Sequence, residues 1–406
     1  MAGLRRVFDR PHASYFLVLG ATALLIALGL LMVLSASSVS AFATEDTPYY
    51  YFKRQAIWVA VGLVALWVSA RLPVRAWRGL AYPVLAVSVI LLAATLVPGL
   101  GHEVNGAQRW LDFGGPFRVQ PSEFAKLGLV LWGADLLARK QQLGTLREWR
   151  HLLIPLIPGA GMVVLLVMLG DDLGTTLVLL TILLALLWIV GAPLRLFAVM
   201  FGAVLLLVAL LIRAAPYRMA RLTSFTDPFA DPGNTGYQAV HGIYAIASGG
   251  LWGVGLGASR EKWGYLPHGY TDFIFAIIGE ELGLVGTLAV LLLFALLTYS
   301  GFRVARRVKD PFTRLAAGAV TAWLTVQAVV NIGAVIGVLP ITGIPLPLVS
   351  YGGSALLPTL VALGMLLSFA RREPGALRAL AGRGPGPLAR AVGWLGYGPA
   401  AKGASK

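Results

Sequence analysis

Ten stretches of this chain are apolar for the length of a bilayer core: 14–39, 55–71, 79–98, 121–138, 152–169, 172–190, 193–213, 272–301, 314–338 and 352–370. A helix needs about 20 mostly apolar residues to cross hydrocarbon, and it satisfies its own backbone groups there. Runs such as Leu177 to Val190 do not alternate in polarity, as the segments of a membrane barrel would. The first stretch is too long, and too closely followed by others, to be a cleaved signal peptide. The pattern predicts an all-α, polytopic membrane protein with ten transmembrane helices. Composition agrees. Of 406 residues, 58% are hydrophobic and 13% charged, where a soluble domain has roughly a quarter charged. An ordinary soluble enzyme and a disordered chain are both excluded.

The net charge of +15 would suit nucleic-acid binding in a soluble protein. Its placement says otherwise. With both termini in the cytoplasm, the inner loops hold Arg71, Arg75, Arg78, Arg139, Lys140, Arg147, Arg150, Arg195, Arg303, Arg306, Arg307, Lys309 and Arg314. Basic residues mark cytoplasmic loops, so no nucleic-acid partner is expected. The predicted organisation is a cytoplasmic N-terminus at 1–13, a membrane domain at 14–371 and a flexible cytoplasmic tail at 372–406. There are no cysteines, which excludes disulfides, zinc-thiolate sites and a cysteine nucleophile.

Acidic residues concentrate on the outer face. Three long outer segments are expected there, at about 40–54, 99–120 and 214–271, the last between helices seven and eight. A loop that long is usually functional or disordered, and its aromatic content argues against disorder.

Ionisable residues within the membrane are costly and often functional. Glu123 and Lys126 share a helix face and are expected to pair, as a functional couple or as a structural clasp. Asp135 reads as interfacial. Asp272 stands at the outer boundary of span eight, where capping and catalysis are equally open. Glu280 and Glu281 lie two turns deeper and read as structural or gating. Outer cations include Arg109, Arg118, Arg213, Arg218, Arg221, Arg260 and Lys262. Arginine suits bidentate capture of phosphate, although anionic lipid headgroups would serve many of these charges equally well. The uncharged segment from Leu339 to Ser354, with three prolines, is either a re-entrant loop or a packed corner. No His-Glu-x-x-His, Walker loop or nucleophile elbow is present. These features alone do not separate a transporter from a glycosyl or phosphoryl transferase.

Several runs go further. Asn105-Gly106-Ala107-Gln108-Arg109-Trp110-Leu111, Gln120-Pro121-Ser122-Glu123-Phe124-Ala125-Lys126, Gly236-Tyr237-Gln238, Thr271-Asp272-Phe273-Ile274-Phe275-Ala276 and Pro345-Leu346-Pro347 with Ser350-Tyr351-Gly352-Gly353-Ser354 resemble the SEDS family of shape, elongation, division and sporulation proteins. Order and topology match over about 14–371. The stretches Gly279-Glu280-Glu281-Leu282-Gly283 and Arg218-x-x-Arg221 with Asp227-Pro228-Phe229 are most similar to the division branch, with the elongation branch as the alternative. Two runs depart from the family pattern. Pro267-His268-Gly269-Tyr270-Thr271-Asp272 stands where the family often has Pro-Glu-Ala-His-Thr-Asp, and Gly170-Asp171-Asp172-Leu173-Gly174-Thr175 keeps only the second half of Gln-Pro-Asp-Leu-Gly-Thr.

The resemblance implies a peptidoglycan glycosyltransferase that polymerises lipid II at the outer face of the bacterial cytoplasmic membrane. Its implied partners are a class B penicillin-binding protein and other divisome or elongasome membrane proteins. The reaction needs a base for the acceptor hydroxyl and cations for the undecaprenyl pyrophosphate leaving group. Asp272 is the expected base. Arg109, Lys126, Arg218 and Arg221 are candidate diphosphate contacts. Trp110, Glu123, Ser350 and Tyr351 are further substrate-binding candidates. A Mg²⁺ or Mn²⁺ ion bridging the pyrophosphate would draw on Asp171, Asp172 or Asp272, although no spacing motif marks a metal site. A lipid II flippase, a noncatalytic scaffold for the penicillin-binding protein and, more distantly, a general solute transporter are the competing readings. The outward placement of the acids favours the enzyme, and no repeat of the two halves is evident.

Overall fold

The computed structural model describes residues 12–104, 107–112, 118–144, 153–200, 202, 206, 225–234 and 236–376. The first helices are α1 (Ala13–Glu45), α2 (Tyr50–Ser69) and α3 (Val74–Thr95). Three short strands follow, β1 (Gly101–Val104), β2 (Ala107–Asp112) and β3 (Arg118–Val119). Then come α4 (Pro121–Gln142), α5 (Leu156–Leu169), α6 (Leu173–Val190), α7 (Tyr237–Gly249), α8 (Ile274–Arg307), α9 (Pro311–Val335) and α10 (Gly353–Ala370). Seven of the described helices are long and apolar enough to span a bilayer: α1, α2, α3, α6, α8, α9 and α10. Span seven is helical from 194 to 200, and the rest of that stretch lies outside the described residues.

Helix starts follow local chemistry. Asp310 caps α9 by accepting from Thr313 N at 2.8 Å, and Pro311 takes the first helical position. A proline loses nothing there, because its missing N–H would have no intrahelical partner. Pro121 opens α4 in the same way. The centre of the molecule is α9 packed on α4, α6 and α8. Trp323 of α9 and Lys126 of α4 are among its largest fully buried side chains.

Three features depart from expectation. The outer segment at 40–54 is not a long loop. Helix α1 runs to Glu45 and α2 begins at Tyr50, which leaves a turn of residues 46–49. Charged residues such as Glu45, Lys53 and Arg54 mark where the chain leaves hydrocarbon, and the helices continue past that boundary. The segment at 99–120 folds as a small antiparallel sheet of order β1-β2-β3, with Gly101 opposite Leu111 and Asp112 opposite Arg118. Among the described residues this hairpin is the only β-structure.

The third departure is in α8. Gly283 takes φ 66° and ψ −160° in mid-helix, a region open in practice only to glycine. The segment after α7 docks into the break. Gly255 N donates to Glu281 O at 3.1 Å, and Leu284 N donates to Gly250 O at 2.9 Å. Backbone groups released by the break are thus met by protein rather than left bare in the membrane.

Candidate functional site

Asp272 sits at the end of the loop after α7, just before α8. It is not the helix cap. Phe273 holds that position, with no side-chain cap bond. The Asp272 side chain is half-buried, and its carboxylate accepts from Thr271 Oγ1 at 2.9 Å.

The proline-rich corner wraps around this point. Tyr351 N donates to Tyr270 O at 3.1 Å, so the two loops join two residues from Asp272. The rings of Tyr270 and Tyr351 meet at 5.9 Å between centroids, and Tyr51 of α2 closes the group at 4.7 Å and 5.3 Å. Burial pushes the Tyr270 phenol well above the ordinary tyrosine range, and its hydrogen bond with Tyr51 adds to the shift. Burial also raises Tyr351, while Arg54 opposes the rise. Ser350 is buried, and its hydroxyl accepts from Leu346 N at 2.8 Å. It shapes the corner from within.

Three buried amides hold the corner against the helices. Gln55 of α2 donates to Ser350 O at 3.2 Å and accepts from Gly352 N at 3.3 Å. Gln327 of α9 donates to Pro345 O at 3.0 Å. Asn331, one turn further along α9, donates to Ile344 O at 2.8 Å and to Asp272 O at 2.7 Å. The sequence reading passes over all three. The signal was an uncharged polar side chain inside an apolar span, which is costly without a partner.

Glu123 and Lys126 pair as expected, at 2.7 Å with 2% and 0% exposure. Lys126 Nζ also donates to Gln327 Oε1 at 3.0 Å and lies 5.1 Å from the Trp323 ring centroid. In this arrangement Lys126 is buried and meets protein groups.

Arg109, on β2, fastens the hairpin to the turn before α6. Its guanidinium donates to Gly170 O at 3.2 Å and Asp171 O at 2.6 Å, and lies 3.8 Å from Asp172. It is partly exposed, which leaves the cation reachable from outside. Asp172 caps α6 through Thr175 N at 3.1 Å and accepts from Gln120 Nε2 at 2.9 Å and Thr175 Oγ1 at 2.8 Å. Two residues on, a Cβ at Gly174 would lie 2.7 Å from Ile344 Cγ1 and 2.9 Å from Thr342 O. That close approach seats the Arg109–Asp172 turn against the proline-rich corner. Arg109 and Asp272 thereby belong to one assembly. Trp110, half-buried, pairs with His102 in the hairpin. Arg218 and Arg221 lie outside the described residues.

Among the described residues, no three His, Asp or Glu side chains come together to hold a metal, and Asp172 is already engaged by Gln120, Thr175 and Arg109. A resident Mg²⁺ or Mn²⁺ therefore finds no preformed cage there. Glu280 and Glu281 face the docked loop. Glu280 accepts from Ser259 Oγ at 2.5 Å and Arg260 N at 2.8 Å. Glu281 accepts from Ser35 of α1 at 2.6 Å. Asp135 is buried between Arg78 at 2.8 Å and Arg139 at 2.7 Å.

The model of the FtsW/RodA/SpoVE family, described as cell cycle protein, matches residues 15–374. The chain belongs to this family, the SEDS proteins. It is 46% identical over 376 residues to the probable peptidoglycan glycosyltransferase FtsW of Mycobacterium tuberculosis, covering 92% of this chain and 71% of that protein. Stage V sporulation protein E of Bacillus subtilis is 37% identical over 350 residues, 86% of this chain and 95% of that one. Among solved structures, a chain of a peptidoglycan synthase complex that coordinates polymerization and crosslinking superposes with TM-score 0.72 at 33% identity, covering 87% and 96% of the two chains. The rod shape determining protein RodA of Thermus thermophilus matches with TM-score 0.64 at 31% identity, covering 88% and 97%. The SEDS motifs therefore sit on a SEDS fold, with the Asp272 loop, the proline-rich corner and the Arg109 hairpin assembled on one face.

Proposed function

We propose that this SEDS protein is the division-associated peptidoglycan glycosyltransferase, polymerising lipid II at the outer face of the bacterial cytoplasmic membrane. Both termini are then cytoplasmic, and the Asp272 face is outside. The observation that carries the reading is the convergence of the Asp272 loop and the proline-rich corner through the Asn331 and Tyr351 bonds. A half-buried carboxylate in a loop pinned by these bonds suits a general base.

In the proposed step, Asp272 takes the proton of the acceptor sugar's 4-hydroxyl as that oxygen attacks the anomeric carbon of the lipid-linked donor. The anomeric C–O bond to the diphosphate breaks, and undecaprenyl pyrophosphate leaves with the electron pair. Arg109, Arg218 and Arg221 are proposed to neutralise the leaving diphosphate, since guanidinium forks match its oxygens. Trp110 and Tyr351 are proposed to contact the sugars. The buried groups Glu123, Lys126 and Ser350 are proposed to act through the corner, by holding it in place. Mg²⁺ or Mn²⁺ enters only as a counter-ion carried by substrate oxygens. A class B penicillin-binding protein, with other divisome membrane proteins, is proposed as the partner that crosslinks the product.

The test is polymerisation of purified lipid II by the protein with its cognate class B penicillin-binding protein. Wild type should make polymer, and Asp272→Asn, folded and partner-bound, should make none. Equal polymer from both would remove Asp272 from the chemistry. No polymer from a competent wild-type complex would move the reading to a flippase or scaffold.

A further inference from the structure

Helix α9 presents two side-chain amides one turn apart to the proline-rich corner, Gln327 and Asn331, 1% and 3% exposed. Residues four apart share a helix face. Here that face grips consecutive carbonyls, Pro345 O through Gln327 at 3.0 Å and Ile344 O through Asn331 at 2.8 Å. Asn331 reaches a second chain segment as well, Asp272 O at 2.7 Å. The amide orientation is forced. A flip would set its oxygen against two carbonyl oxygens, and both neighbours need a donor. This orientation leaves Asn331 Oδ1 buried with no hydrogen-bond partner among the described residues. An unpaired buried acceptor is unfavourable, so packing alone does not account for an asparagine here.

The local backbone explains what the bond does. The carbonyl of a residue just before a helix is often taken up by the first turn. In α8, Ala276 N instead donates to Phe273 O at 3.0 Å, and Asn331 engages Asp272 O from the neighbouring helix. The main chain of Asp272 is thereby referenced to α9 and to the corner that carries Tyr351.

We infer that Asn331 is a positioning residue for polymerisation, fixing Asp272 against the corner so that its carboxylate meets the acceptor hydroxyl. This rests on Asp272 being the base. Asn331 touches neither substrate nor the reacting atoms. Its effect therefore falls on the chemical step rather than on binding, and misplacement of a reacting group by about 1 Å is worth up to roughly a hundredfold in rate.

The experiment compares wild type, Asn331→Leu, Asn331→Gln and Asp272→Asn, each in complex with the penicillin-binding protein, in lipid II polymerisation. Asn331→Leu should lower kcat roughly ten- to a hundredfold with KM for lipid II changed less than about twofold. Asn331→Gln keeps the donor on a longer arm and should recover part of that loss. The inference is overturned by an unchanged kcat in Asn331→Leu, by a loss confined to KM, or by Asn331→Gln being no better than Asn331→Leu. If Asn331→Leu does not assemble, Asn331→Ser, too short to span both carbonyls, is read by the same criteria. Asp272→Asn separates the two claims. Full activity there removes the base and the positioning role together. An inactive Asp272→Asn beside an unimpaired Asn331→Leu removes positioning alone.

Discussion

Lys262 and Glu281 meet at 3.2 Å with 5% and 0% of their side chains exposed, and this pair locks the loop after α7 into the broken helix α8. Lys262 Nζ also donates to Gly257 O at 2.6 Å, while the Glu281 carboxylate collects Ser35 Oγ from α1. Three elements thus share one buried charge pair, whose Glu281 follows Asp272 by nine residues in the chain.

Removing one partner should be much worse than removing both. A lone charge left in such a site costs about 3–5 kcal/mol, whereas replacing a buried pair by apolar groups is often near neutral. Lys262→Met and Glu281→Met should each lower the thermal unfolding midpoint in detergent sharply. The double variant should recover a large part of the loss. A double variant as unstable as the sum of the singles would show that the two groups do not act as a pair.

Gly283→Ala tests the helix break itself. Alanine at φ 66° and ψ −160° is strained by about 1–3 kcal/mol. Its Cβ would also fall inside the contact distance of Gly253 N and Leu251 O, so the docked loop must move. The expected outcome is a loss of at least about 2 kcal/mol and faster proteolysis within 249–263. A variant with wild-type protease resistance would mean that the loop does not rely on the break.

Much of this architecture was legible in the sequence. Apolar length located the described helices with ends up to about six residues away, and the three-residue spacing of Glu123 and Lys126 made their pairing possible. What was not legible came from groups without charge or periodicity. Gly283 reads as an ordinary helix glycine until the loop inserts against it. Gln55, Gln327 and Asn331 look like isolated polar residues in apolar helices, and only the fold shows that all three face one loop. The helix ends at Glu45 and Tyr50 were misplaced because polarity reports the water boundary, and a helix need not stop there. Ser350 and Lys126 carry reactive-looking groups in recognisable motifs, yet their hydrogen bonds are spent on protein. That distinction depends on burial, which sequence spacing does not encode.

Orientation is open to a direct test, because the chain has no cysteine. Single cysteines at exposed positions report sidedness without background. Pro232→Cys, in the large outer loop, should react with a membrane-impermeant maleimide in intact cells. Lys309→Cys, between α8 and α9, should react only after permeabilisation. Both positions are exposed, so failure to label reflects sidedness rather than burial. The opposite pattern would invert the topology and place Asp272 on the cytoplasmic side, away from any extracytoplasmic polymerase role.

The tyrosine group beside Asp272 makes a prediction about alkaline pH. Burial holds the Tyr270 phenol neutral well past the ordinary tyrosine range, while an unfolded chain ionises its tyrosines near about pH 10. Below that value the phenol is protonated in both states, and its burial is linked to no pH dependence. Above it the unfolded state releases a proton that the folded state keeps. Stability must then fall as pH rises toward the folded pKa, by at most about 1.4 kcal/mol per pH unit for one group. Tyr270→Phe removes this linkage, and tyrosines outside the Tyr51–Tyr270–Tyr351 group contribute equally to both proteins. The wild-type unfolding midpoint should therefore drop more steeply than that of Tyr270→Phe between about pH 10 and 11. Parallel slopes would mean that Tyr270 ionises as freely in the folded protein as in the unfolded chain, and that the Tyr51–Tyr270–Tyr351 group is open to water.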